Sequence, residues 1–169
     1  MSACTARKNR NWIDMLLHGI NHVATLTKDA TRLVDFYRQV FEAEVTGTFD
    51  GPEGPDTQLT VIAIGDGTEL NVFEIVGNVE ADHQVPMFGR GRIDHIGLRA
   101  KDIAAFDEIR GRLIQHGAAD EFVTDFGTEY SMFFRDPDGL EGEVLVAIPA
   151  PRPDAQTPRG TSALRYASS

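Results

Sequence analysis

Apolar residues along this chain follow two rhythms, and the same succession of rhythms occurs twice. From Leu17 the spacing is that of a strand: Ile20, His22, Ala24 and Leu26 share one face, and Asn21, Val23 and Thr25 the other. Asp29 or Thr31 can cap the helix that follows. Its apolar positions Leu33, Phe36, Tyr37, Val40 and Phe41 recur at helical spacing, an amphipathic helix packed on a sheet. Strands are then predicted at Val45–Phe49, Gln58–Ile64 and Glu69–Val76. The Gly- and Pro-containing residues 50–56 read as a loop and Gly65-Asp66-Gly67 as a hairpin turn.

The second succession matches the first. A strand over Ile93–Arg99 leads to a helix capped by Asp102, carrying Ile103, Phe106, Ile109, Arg110 and Leu113 on one face and stopped by Gly117. Strands follow near Glu121–Thr124, at Ser131–Arg135 and at Gly142–Ile148, the last two joined by Asp136-Pro137-Asp138-Gly139. Each half therefore reads β-α-β-β-β. The phrase Ile20-Asn21-His22-Val23 returns as Ile93-Asp94-His95-Ile96, and Lys28-Asp29 as Lys101-Asp102, both 73 positions on. A repeat of this length is a duplicated structural unit. The chain divides into a leader (1–17), a first module (18–76), a polar linker (77–92), a second module (93–148) and a tail (149–169) too polar to offset its own ordering entropy.

Composition narrows the function. A net charge of −10 argues against general nucleic-acid binding, because a polyanion needs a basic surface to release its counterions. Cys4 is the single cysteine, so no internal disulfide can form. The apolar stretch after Asn11 is too short for a secretion signal or a membrane span, which makes the cytoplasm the expected compartment and excludes a membrane partner.

One histidine per repeat points to chemistry. Glu74 lies in the hydrophobic strand Val72-Phe73-Glu74-Ile75-Val76, where a carboxylate without a partner is costly, and Glu143 lies in the last strand of the second module. Alternation sets Leu70, Val72, Glu74 and Val76 on one face, with Phe73 and Ile75 left to pack under a helix. It likewise sets Glu141, Glu143 and Leu145 against Val144 and Val146. A strand histidine or an inward glutamate on its own is more often structural. The repetition of His-then-Glu in both halves favours a quartet, His22, Glu74, His95 and Glu143, around one divalent cation. Two imidazoles and two carboxylates suit Ni, Zn, Co, Mn or Fe. Arg90, Arg92, Arg99 and Lys101 near His95 form either a solvated rim or a seat for an acidic group. Tyr130 packs at an edge or donates to a bound oxygen, Phe126 and Phe133 line the site or its underside, and His18 and His83 are not expected to be ligands.

The paired I-x-H-[VI] strands, the helix with Val34-Asp35-Phe36-Tyr37, and Asp136-Pro137-Asp138-Gly139 followed by Glu143 resemble the vicinal oxygen chelate superfamily. That superfamily includes glyoxalase I, methylmalonyl-CoA epimerase, extradiol dioxygenases and fosfomycin or bleomycin resistance proteins. The resemblance runs from about Leu17 to Ile148. It implies an α+β fold in which two tandem βαβββ modules form a cupped mixed sheet around a metal, with His22, Glu74, His95 and Glu143 at the ligand positions and a homodimer as the expected assembly. One departure is Leu140-Glu141-Gly142, where members often have Asn and hydrophobic residues after the turn. Four protein ligands leave an octahedral ion two open positions, whereas extradiol cleavage needs three. The resemblance thus favours a lyase or isomerase of the glyoxalase I type acting through an enediolate on a small molecule with adjacent oxygens. Glu143 would be the base, and Glu74 a ligand or alternate base. An Fe(II) extradiol ring-cleaving dioxygenase and a non-catalytic binding or resistance protein of the same fold are the alternatives.

Overall fold

The computed structural model describes residues 16, 19–51, 54–82 and 93–150. Most of the expected leader, His18, most of the linker with His83, Arg90 and Arg92, and nearly all of the expected tail lie outside those residues. The first module runs β1 (His22–Thr27), α1 (Ala30–Phe41), β2 (Glu44–Gly51), β3 (Gly54–Gly65) and β4 (Thr68–Ile75). The second runs β5 (Ile96–Arg99), α2 (Ile103–Gln115), β6 (Thr124–Asp125), β7 (Glu129–Arg135) and β8 (Glu141–Ala147). Each module closes into a four-stranded mixed sheet, ordered β1-β4-β3-β2 and β5-β8-β7-β6, whose first strand is parallel to its last. The α+β architecture of two tandem βαβββ modules is therefore present. Among the described residues no helix is long and apolar enough to cross a membrane.

Both helices start on the side chains that sequence assigns to them. Asp29 accepts the N–H of Arg32 at 2.9 Å and Asp102 that of Ala105 at 2.8 Å, each satisfying an amide with no partner inside its helix. Three elements differ from expectation. β5 starts only at Ile96, so His95 lies just before the strand and not within it. Residues 50, 51 and 54–56 are strand, because β2 and β3 pair as far as Gly51 opposite Gly54. A Cβ at Gly51 would lie 2.1 Å from the Thr57 side chain, so only glycine fits there. β6 shrinks to two residues. Asp120 takes the N–H of Phe122 at 2.8 Å and Asp125 that of Gly127 at 2.7 Å, which diverts local amides into side-chain turns.

One continuous core joins the modules. Leu33, Tyr37 and Val40 of α1 and Phe106 and Leu113 of α2 are buried with Ile62, Leu70 and Val72 of the first sheet and Met132, Phe134, Val144 and Val146 of the second. Phe134 stacks 5.2 Å from Phe41 and 6.3 Å from Phe36, across the module boundary. Gly142 makes room for it: a Cβ there would lie 2.2 Å from the Phe134 ring, which is a structural reason for the departure after the Asp-Pro-Asp-Gly turn. Polar contacts reinforce the seam. Arg112 of α2 donates to the last carbonyls of α1, those of Gln39 and Val40, at 3.3 Å each. Arg32 pairs with Asp138, and the Tyr37 hydroxyl donates to Asp136 at 3.4 Å. The helix-covered faces of both sheets thus share the core, and each sheet keeps its other face for the histidines.

Candidate metal centre

His22 opens β1, and its parallel neighbour in β4 is Glu69. Register partners project from the same face, so His22 and Glu69 share one face of the first sheet on adjacent strands. The backbone fixes this alignment: Glu69 N–H donates to the Asn21 carbonyl at 2.9 Å, and the Thr68 hydroxyl donates to the Ile20 carbonyl at 3.1 Å.

Glu74 is elsewhere. Its register partner is Thr27, five positions further along, or roughly 16 Å at strand rise. It also projects from the opposite face, with Leu70 and Val72, both fully buried under α1. Its carboxylate accepts the N–H of Ala30 at 2.7 Å, at the positive end of α1. The expected face assignment in β4 is therefore inverted: Phe73 and Ile75, not Leu70 and Val72, share the face of His22. The structure does not bring Glu74 together with any of the other three expected ligands. Glu69, which the sequence pattern does not single out, is the acid in register with His22. In the second module the acid in register with His95 is Glu141, and Glu143 lies two residues further along β8 on the same face.

In the second module the structure brings His95 and Glu143 together, with Nε2 3.5 Å from a carboxylate oxygen. That is too long for a good hydrogen bond. It fits two donors flanking one ion, since ligands about 2.0–2.2 Å from a metal lie about 3 Å or a little more apart. Ser131 donates to the other Glu143 oxygen at 2.5 Å, and the Phe133 ring meets His95 edge-on at 5.4 Å. Glu141 is fully buried and ion-paired with Arg135 at 3.1 Å. Val144 and Val146 lie under the helices, as alternation predicts. Tyr130 and Phe126 are partly buried, and Arg99 and Lys101 are exposed.

Both histidines are held in one manner. Nδ1 of His22 lies 2.8 Å from the Asn21 side-chain oxygen, and Nδ1 of His95 lies 2.9 Å from the Asp94 carboxylate. An acceptor at Nδ1 places the proton there and leaves the Nε2 lone pair outward, the form a metal needs. The donor chemistry therefore fits a divalent cation, as two half-sites of one nitrogen and one oxygen each. Among the described residues no three His, Cys, Asp or Glu side chains converge within the chain.

The sequence profile described as the Glyoxalase/Bleomycin resistance protein/Dioxygenase superfamily matches residues 19–144. The chain belongs to this superfamily. Solved structures with the same fold include lactoylglutathione lyase from Agrobacterium tumefaciens, 26% identical, TM-score 0.54, covering 78% of this chain and 96% of that one. The trypanothione-dependent glyoxalase I of Leishmania major is 20% identical, TM-score 0.59, with 77% and 87% covered. A point mutant of the fosfomycin resistance protein FosX of Listeria monocytogenes, complexed with Mn(II) and 1S,2S-dihydroxypropylphosphonic acid, is 19% identical, TM-score 0.58, with 76% and 92% covered. A search of the curated proteins finds no match. Superfamily membership fixes the scaffold, and the chemistry has to be argued from the side chains.

Proposed function

We propose that this superfamily member is a divalent-metal-dependent lyase or isomerase of the glyoxalase I type, with each metal site completed by a second copy of the chain. The observation that carries the reading is an Nδ1-tethered histidine in each module with a carboxylate on the same sheet face, Glu69 in register with His22 and Glu143 3.5 Å from His95. Two donors hold a cation poorly, and four make a complete set for Ni, Zn, Co, Mn or Fe. Because one chain keeps its two half-sites apart, the first of one copy is assigned to the second of its partner, in a two-fold homodimer. The exposed face of the first sheet supports this: Phe49, on the face of His22 and Glu69, is 57% exposed and available for a partner or substrate to cover.

When bound, the cation supplies Lewis acidity to a substrate with adjacent oxygens. Glu143 is the assigned base, taking the proton next to a carbonyl and returning it to the neighbouring carbon. Ser131 restrains one of its oxygens and leaves the other directed at the site. Phe133 walls the site and limits water. Glu74 takes no part in this reading, and Glu69 replaces it as the first module's oxygen donor.

The test is metal analysis of the purified protein together with a screen of hemithioacetals, CoA thioesters and catechols in an oxygen electrode. Turnover of a hemithioacetal or thioester without oxygen uptake, abolished by Glu143→Gln with metal still bound, is the expected result. Oxygen uptake with a catechol would make the protein a ring-cleaving dioxygenase, and protein without metal or metal affinity would make it a binding module.

A further inference from the structure

We infer that Asp94 and Ser131 are positioning residues that preform the His95–Glu143 half of the site, so that this half captures the cation before the His22 half engages. The inference rests on the metal-dependent reading above and adds to it which half of the site is preformed. The duplication supplies an internal comparison. Asn21 and Asp94 occupy equivalent places and hold equivalent Nδ1 atoms at nearly the same distance, 2.8 and 2.9 Å. One is a neutral amide and the other a carboxylate. A carboxylate makes the stronger, charge-assisted bond to Nδ1–H and raises the donor strength of Nε2.

The remaining contacts run the same way. Both Glu143 oxygens are engaged, one by Ser131 at 2.5 Å and one facing His95 at 3.5 Å, and Ser131 is fully buried. The side chains of Asp94, His95 and Glu143 are 25%, 29% and 13% exposed, and Phe133 braces the imidazole. In the first module His22 is exposed, and among the described residues no side chain holds the Glu69 carboxylate. Ligands already in one rotamer lose little freedom when an ion binds, whereas exposed ones must be ordered by it.

The experiment is titration of metal-free full-length protein with Co(II), reading affinity by competition with a chromophoric chelator and ligand geometry from the visible d–d bands. Asp94→Ala is expected to weaken Co(II) about 10- to 100-fold, the range for lost outer-shell partners of metal-bound histidines. Ser131→Ala should also weaken it. Asp94→Asn should fall between wild type and Asp94→Ala, because its amide oxygen still accepts from Nδ1–H but without charge assistance, and Asn21→Ala should cost less than Asp94→Ala. Thermal unfolding of the metal-free variants should match wild type, which separates positioning from fold maintenance. Affinity of Asp94→Ala within about twofold of wild type, or a loss in Asn21→Ala as large as in Asp94→Ala, overturns the inference alone. Wild-type protein that binds no Co(II) overturns the functional reading and this inference together.

Discussion

Replacing Asp136 with asparagine should stabilise the protein at neutral pH and make no difference in acid. Asp136 is buried at the module boundary, where one carboxylate oxygen accepts the N–H groups of Asp138 and Leu140 at 3.0 and 2.9 Å and the other faces the Tyr37 hydroxyl. Burial, with the negative charge of Asp138 adding to it, pushes its pKa from 3.8 up to about 6, against the opposing pull of the two backbone bonds. The folded-state value is the higher one. The folded protein therefore keeps a proton that the unfolded chain gives up, and stability falls as pH rises through that window. A gap of about two pKa units corresponds to about 3 kcal/mol, fully lost above the folded-state value.

An asparagine oxygen can still accept both backbone bonds but carries no charge. Urea unfolding followed by far-UV circular dichroism at several pH values reads the difference. Asp136→Asn should match wild type near pH 4 and exceed it by about 3 kcal/mol near pH 7.5, widening between. A difference that stays flat with pH, or a variant less stable than wild type at neutral pH, would refute the claim that a buried charge is tolerated here at a cost.

Other substitutions separate site from scaffold. Glu69→Gln should lower metal affinity at least tenfold, measured by chelator competition, whereas Glu74→Ala should leave affinity unchanged and cost about 0.5–2 kcal/mol in urea unfolding through the lost helix-start bond. Gly142→Val should destabilise by about 1–3 kcal/mol by driving a side chain into the Phe134 ring, seen as a fall in the urea midpoint. Tyr37→Phe should cost about 1 kcal/mol or less, since its hydroxyl bond to Asp136 is long.

Much of the scaffold was legible because local signals agreed. Asp29 and Asp102 cap where spacing starts a helix, and the repeat fixes the order of elements in both halves. In β8 the alternation of Glu141 and Glu143 with Val144 and Val146 also gave the face of the acid. In β4 it did not. Leu70, Val72, Phe73, Ile75 and Val76 put apolar residues on both faces, so the binary pattern cannot say which meets the helix. The deciding fact is the pairing of His22 with Glu69 across strands distant in sequence, and no local period encodes it. The acid in the most hydrophobic segment, Glu74, accepts a helix-start N–H, a partner that comes from the far end of β1 and that no pattern within β4 reveals. The separation of the half-sites was likewise invisible, since it depends on how α1 and α2 pack together.

Subunit complementation tests most directly whether two copies assemble each centre. His22→Ala and His95→Ala proteins, each expected to bind metal poorly alone, are mixed, exchanged and titrated. The mixed dimer should regain one tight metal equivalent per two chains, because one of its two centres then holds only native ligands. Absence of recovery in a demonstrated mixed dimer would mean that the two half-sites do not meet across the interface.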